Sequence, residues 1–327
     1  MVLSTAQAGR IEGLKVCKSN DIHAQAALLD TWDQEYCQLS CGQFSGSVVS
    51  TWAGDVRFFV EKMNRAVLQR GCVGSDRIGI GLPIRLPGKS NLCGEAVEPL
   101  SLLVFSGQSG FEFLSPGEFL FVGMEIRSRP QQDPRLAGLI KTLRRALYGR
   151  RRVVPIGASE ASALATSLVS VVNQLTKTPE LLRDEARMRT LQASAMGMTI
   201  DCICEAEAEE QGASPSDTNY WQLINQIHDL VVDLPDCPLS VAELADRLGV
   251  SRRTVQYACN RALDLNPVAY LRALRLSGLR RDIRHADSVT EVATRWGFWH
   301  FGYLARDYKA MFGELPSTTL KRESLRI

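Results

Sequence analysis

Between Gln43 and about Ile126 the apolar residues fall in short runs rich in branched and aromatic side chains: Ser47–Trp52, Arg77–Leu82, Leu100–Phe105 and Gly117–Val122. Clusters of Gly, Pro, Ser and Asn separate them, such as Pro87–Asn91 and Ser106–Gly110. Short strands bounded by turn residues at this spacing predict a β-barrel or sandwich. One segment departs from that texture. Val56, Phe59, Val60, Met63 and Val67 recur at helical spacing, which predicts an inserted helix over 56–69. After Pro130 the period becomes helical. Leu136–Tyr148, Ser159–Leu175 and Pro179 to about Cys204 read as amphipathic or core helices, with Ser159 as a cap and Pro179 in a first turn.

The polar stretch Glu205–Asn219 follows, with Glu-Ala-Glu-Ala-Glu-Glu-Gln-Gly and then Ser-Pro-Ser-Asp. Such a composition buries little and predicts a flexible connector. The chain then divides into a β-rich domain at 1–130, a helical region at 131–205, a connector at 206–219 and a helical C-terminal domain at 220–327. A length of 327 residues accommodates two domains, and 45% hydrophobic with 23% charged residues excludes a disordered or collagen-like chain. The predicted class is α+β.

Charge adds an asymmetry. Residues 236–327 hold 15 Lys+Arg against 10 Asp+Glu, a net of +5, while the rest carries a net of −3. A basic end on a mildly acidic body points to a polyanionic partner. Neither a secretory leader nor a run of about 18 apolar residues is present, so the expected location is cytoplasmic with no membrane partner. The nine cysteines include no Cys-x-x-Cys pair and read as reduced, with no metal site expected. Only four histidines occur, and His23 alone lies in the β-rich region, which excludes a three-histidine metal barrel within one chain. No phosphate loop or Gly-x-Ser-x-Gly elbow is found, so neither a cofactor nor catalysis is expected.

The chemistry-bearing pattern lies near the C-terminus. In Leu239–Tyr257, Ala245 permits two helices to cross closely, Gly249 supplies a left-handed turn, and Ser251 caps the next helix. Leu244, Leu248 and Val255 form the shared core. Arg252, Arg253, Thr254, Gln256 and Tyr257 are left on or near the outer face, and such side chains reach phosphates and base edges. The pattern repeats 48 residues later, with Ala293 for Ala245 and Gly297 for Gly249. Val289–Phe298 forms the first helix and turn of that copy, and His300 to Met311 its second helix. Between the copies, Pro267–Ile283 reads as one long helix that holds them at a fixed separation.

About a quarter of the chain, Pro235 to Arg322, resembles the DNA-binding domain of AraC/XylS transcriptional regulators. The resemblance rests on Ser251-Arg-Arg-Thr-Val-Gln, Leu265-Asn-Pro-Val-Ala-Tyr-Leu-Arg with Arg275-Leu276, Trp296-Gly-Phe298, and Leu304-Ala-Arg-Asp-Tyr-Lys309 leading into Phe312-Gly-Glu-Leu-Pro316. It implies seven helices in a double helix-turn-helix whose two recognition helices enter successive major grooves of double-stranded promoter DNA. It places Arg253, Gln256 and Tyr257 at base-reading positions, flanked by Arg252 and Thr254. Arg306 falls at a base-reading position of the second unit, and His300 and Phe301 near its helix start, where phosphate contacts occur. The aromatic residues Trp299, Phe301 and Tyr303 with Gly302 depart from the usual polar pattern, which favours phosphate or shape recognition by that helix.

By the same resemblance the β-rich part is a sensing domain for an effector of unspecified identity, the helices at 131–205 dimerise two copies, and an activator would also meet RNA polymerase. The run Phe312–Leu320 is most similar to the subgroup of ethanolamine-operon activators. Phe105, Phe111, Phe113, Phe119 and Phe121 either line a pocket or, more simply, fill the core. The competing reading is a small-molecule-binding or catalytic β-barrel for which the DNA-binding domain is a targeting module.

Overall fold

A computed structural model of the chain describes residues 14–99, 101–107, 110–127, 134–147, 151–206 and 215–324. The β-rich region contains β1 (Leu14–Ser19), α1 (Ile22–Ala26), β2 (Trp32–Gln38), β3 (Gly46–Ala53), β4 (Val56–Met63), β5 (Val67–Val73), β6 (Arg77–Arg85), β7 (Asn91–Leu92), β8 (Glu95–Ala96), β9 (Ser101–Ser106), β10 (Phe111–Ser115) and β11 (Phe119–Arg127). Helix α2 (Pro134–Leu147), β12 (Val153–Pro155), α3 (Ala158–Lys177) and α4 (Glu185–Glu205) follow. The strands form two antiparallel sheets, ordered β1-β3-β4-β11-β6-β9-β12 and β2-β5-β10-β7-β8. They face each other as an open sandwich.

Alternation along the strands explains the layering, because successive side chains leave opposite faces of a sheet. In the five-stranded sheet Tyr36, Val67 and Phe113 enter the core between the sheets, while their neighbours Cys37, Leu68 and Leu114 enter a second core shared with the C-terminal helices. In the seven-stranded sheet Phe59, Leu103 and Phe121 point into the sandwich. Phe58, Leu102 and Val122 point outward and are covered by Ile140 of α2, Leu164 and Leu168 of α3, and Met196 of α4. The order of layers is thus C-terminal helices, five strands, seven strands and the α2–α4 helices.

This double burial corrects the helix expected over 56–69. Those residues are β4 and the start of β5, and β4 pairs with β3 and β11 along its whole length. Both faces of β4 are covered, so apolar residues occur at odd and even positions and the period of two vanishes. Two helix starts also differ from expectation. Helix α3 is capped by Gly157 and not Ser159, and Pro179 begins a short 3-10 turn, with α4 starting only after Asp184, whose carboxylate accepts from the Arg187 amide.

The phenylalanines named from sequence fill the sandwich, packing on one another and on Trp32 with ring centroids 5.1–6.2 Å apart. The cavity among them is about 10 Å³. Glu61 is buried beside them, accepting from Gln25 Nε2 at 3.0 Å and Tyr36 Oη at 3.2 Å, and burial lifts its carboxyl to about 7. Among the described residues no group of three or more His, Cys, Asp or Glu is placed to hold a metal ion, and no helix is long and apolar enough to cross a membrane.

Most of the expected connector, residues 207–214, lies outside the described residues. Its last part is helical and opens α5 (Pro215–Asp233). The remaining helices are α6 (Val241–Arg247), α7 (Arg252–Leu263), α8 (Pro267–Asp282), α9 (Val289–Arg295), α10 (Phe301–Phe312) and α11 (Pro316–Ser324). From α5 to α11 they make the seven helices that the resemblance implies.

Candidate nucleic-acid interface

Helix α6 opens with a reciprocal cap: the Ser240 hydroxyl accepts from the Glu243 amide at 3.3 Å, and the Ser240 amide donates to Glu243 Oε2 at 2.7 Å. It closes at Gly249, whose φ of +64° a side chain would strain, while the Val250 amide returns to the Ala245 carbonyl at 3.0 Å. Ser251 then accepts from the Thr254 amide at 3.0 Å and starts α7. Leu244, Ala245 and Val255 are buried between the two helices.

The second unit repeats these steps. Ser288 caps α9, Gly297 turns at φ +81°, and the Phe298 amide returns to the Ala293 carbonyl at 2.8 Å. Ala293 is as buried as Ala245. The difference comes next, because α10 begins at His300 with no side-chain cap.

Helix α8 links the units. Asn266 caps it through the Ala269 amide at 2.9 Å, and Pro267 sits in its first turn. Tyr270, Leu271, Leu274, Leu276 and Leu279 are buried as expected, and so are Ser277 and Gly278. A helix covered nearly all round cannot pivot without breaking packing. Trp296 of the second unit lies against Gly278, where a Cβ would come within 2.3 Å of its ring, and its indole donates to Asp282 Oδ2 at 2.8 Å.

The residues singled out from sequence fall as follows. Arg252, Arg253, Gln256 and Tyr257 are exposed on one side of α7, Tyr257 by 51%. Thr254 is only half-exposed and its hydroxyl is 2.8 Å from that of Ser251, so it belongs to the cap as much as to the outer face. Arg253 lies over the Tyr257 ring, 5.3 Å from its centroid, and donates to Tyr257 Oη at 3.1 Å. On α10, His300, Phe301 and Arg306 are exposed or nearly so. Beside them stand Trp299 and Tyr303, 64% and 62% exposed. Arg306 lies 5.1 Å from the Tyr303 centroid, and the His300 ring meets Tyr303 edge-on. The structure therefore gathers the predicted residues into two outward surfaces, one on each second helix.

Sequence reasoning missed the seam that holds these helices to the β-domain. Asp21, the cap of α1, receives Arg280 Nε at 2.9 Å and pairs with Arg284, while Arg280 also donates to Glu314 at 2.7 Å and Tyr308 Oη at 3.1 Å. Burial pushes the Asp21 carboxyl up, but Arg280 and Arg284 overcome it and hold the group well below the usual carboxylate range. His23 Nε2 lies 3.2 Å from the Ser277 carbonyl, and burial lowers its pKa to about 4, against the pull of Asp21. Gln38 Nε2 donates to the Met311 carbonyl at 2.6 Å, and the Gly42 amide to that of Ala310 at 2.8 Å. On the first-unit side, Arg70 pairs with Asp229 at 2.8 Å and touches His228. Burial raises the Cys37 thiol at this seam to about 12, as it does Cys259 on the buried face of α7, so both are chemically quiet. The one sequence signal for the seam is an Asp-x-His cap far from its partners.

Residues 244–322 match the helix-turn-helix domain model. The "Probable thc operon regulatory protein" of Rhodococcus erythropolis is 41% identical over 88 residues, which cover 26% of this chain and 26% of that protein. XylDLEGF operon transcriptional activator 1 of Pseudomonas putida is 33% identical over 92 residues, 27% of this chain and 28% of the activator. The chain thus spans about a quarter of the length of these curated relatives. Among solved structures, the AraC-like transcriptional activator CuxR aligns with 86% of this chain and 100% of its own at 14% identity and a TM-score of 0.43. The C-terminal region is a helix-turn-helix domain, similar over that segment to these regulators, and is joined to an N-terminal domain of two antiparallel sheets.

Proposed function

We propose that this protein is a sequence-specific DNA-binding transcriptional regulator, not an enzyme, that it reads promoter DNA through both helix-turn-helix units, and that its N-terminal domain controls that reading. The observation that carries the proposal is the pair of exposed second helices, α7 and α10, each carrying an arginine over a tyrosine ring and joined by the buried helix α8. Arg252, Arg253, Gln256 and Tyr257 approach bases or phosphates from α7, with Thr254 at its rim; His300, Phe301 and Arg306 do so from α10. Matches to regulators over the same segment support this, and a function on DNA fits a cytoplasmic location.

The seam gives control a physical route. Asp21 and His23 contact α8 directly, so whatever shifts the β-domain also shifts the helix that spaces the two units. An effector bound by the sandwich, a second copy docked on the α2–α4 helices, or contact with RNA polymerase in an activator would act through that connection. The run Phe312–Leu320 supports kinship with ethanolamine-operon activators within this class.

The test is capture of genomic DNA fragments by the full-length protein at about 0.15 M salt, where non-specific contacts are weakened. A shared motif that broadens with Arg253→Ala supports sequence reading. Equal, unselective capture by both proteins contradicts it.

A further inference from the structure

We propose that Tyr303 is a positioning residue that aims the Arg306 guanidinium, so that α10 reads a guanine directly in the second half-site. The inference rests on the reading of the chain as a sequence-specific DNA-binding protein and goes beyond it. The aromatic start of α10 otherwise favours phosphate or shape recognition.

Three observations carry it. The first is that the two second helices, unlike in sequence, each set a guanidinium against a tyrosine ring, with Arg253 also donating to Tyr257 Oη. Arg253 and Tyr257 are four residues apart on α7, Tyr303 and Arg306 three apart on α10, and both spacings place the pair on one helix face. Each guanidinium lies just above 5 Å from a tyrosine centroid, at 5.3 and 5.1 Å. The order along the helix is reversed, so the resemblance is one of geometry.

The second concerns the state of the arginine. Arg306 Nε faces Asp307 Oδ1 at 3.5 Å, and the other Asp307 oxygen faces Arg272 Nη1 at 3.4 Å. Asp307 is thus shared between two cations and is not a dedicated partner of Arg306. Among the described residues no hydrogen-bond partner engages the Arg306 guanidinium, whose ion pair with Asp307 is made at Nε. An end-on pair of N–H donors is the fork that fits guanine N7 and O6. The cation–π contact with the Tyr303 ring restricts where that fork can lie before DNA arrives, which reduces the rotamer freedom lost on binding.

The third is exposure. Tyr303 is 62% exposed and braced by the edge of His300. Trp299, Phe301 and Tyr303 are all exposed at this helix start, and a cluster of exposed aromatics on a charged surface marks an interface. The ring flank that Arg306 leaves open is apolar and suits the 5-methyl of a thymine beside the guanine.

Selection of bound sequences from a random duplex pool by the full-length protein tests this, with Tyr303→Ala, Tyr303→Phe and Arg306→Lys alongside the wild type at one salt concentration. The expected wild-type site carries a guanine in each half. Tyr303→Ala should lower the second-half guanine preference about tenfold and leave the first half unchanged, Tyr303→Phe should retain it within about twofold, and Arg306→Lys should lose it while keeping the charge. Uniform weakening on every sequence by Tyr303→Ala, or equal loss in Tyr303→Phe, would overturn the positioning role. A wild-type motif confined to the first half would overturn direct reading by α10 while leaving a sequence-specific protein; no motif at all would remove both.

Discussion

The two helix-turn-helix units share a turn and differ in how they are finished. Ala245 and Ala293 sit at matching crossings, and Gly249 and Gly297 at matching left-handed turns. Yet α7 begins with a hydroxyl cap and a polar face, whereas α10 begins uncapped and aromatic. The anchoring differs too. The second unit hangs from Trp296 on Gly278 and from a buried ionic cluster, the first from a half-exposed Arg70–Asp229 pair and shared apolar packing through α5. The fold of such a unit demands only the crossing and the turn; cap, face and anchor vary separately around them.

The widest gap should appear when each anchor is cut. Arg280→Ala removes the buried guanidinium that Asp21, Glu314 and Tyr308 share, leaving Asp21 with Arg284 and Glu314 with Arg322, and is expected to cost about 2–3 kcal/mol. Arg70→Ala, where Asp229 keeps access to water, should cost about 1 kcal/mol or less. Urea denaturation of both variants measures the difference, and equal losses would mean that the seam is symmetric. Trp296→Ala should cost about 3–5 kcal/mol, because a fully buried indole and its bond to Asp282 are lost together. Its counterpart Leu248 is partly exposed, and Leu248→Ala should cost about half as much or less.

Caps should show a smaller contrast of opposite sign. Ser251→Ala is expected to destabilise by about 1 kcal/mol, whereas His300→Ser should stabilise by about 0.5–1 kcal/mol by giving α10 the cap it lacks. Thermal melting reads both, and a destabilised His300→Ser would show that His300 supports its helix in another way.

Acid provides the gentlest probe. The folded-state pKa of His23 is depressed to about 4 from an ordinary 6.5, so its contribution is present above pH 6.5 and lost as pH falls toward 4. His228 is depressed likewise, by burial and then Arg70, so both sides of the seam should loosen over that window. Glu61 behaves in the opposite sense: its pKa is raised to about 7, so its contribution is full below about 4.5 and lost as pH rises through 7. His23→Gln should flatten the acid limb of a stability profile, and Glu61→Gln the limb near neutrality.

Much of this is legible in the sequence for identifiable reasons. Turn glycines, Ser251 and Pro267 act within a few residues, so spacing locates α6 to α10 and the outward position of Arg253 and Tyr257, while Arg306 is placed through the family resemblance. The β4 segment reads as a helix because a strand covered on both faces loses its alternation. The Asp21–Arg280 pair joins residues 259 positions apart, and nothing local to either marks the other. Tyr303 is visible in the sequence only as an oddity; its meaning comes from the guanidinium above it.

The most direct test is a footprint of the full-length protein on its selected duplex, repeated with Arg253→Ala and Arg306→Ala. The expected result is two protected major-groove patches on one face, about 10 base pairs apart, with each substitution erasing base selectivity in one patch only. A single protected patch, or two substitutions that weaken both patches alike, would contradict independent reading by the two units.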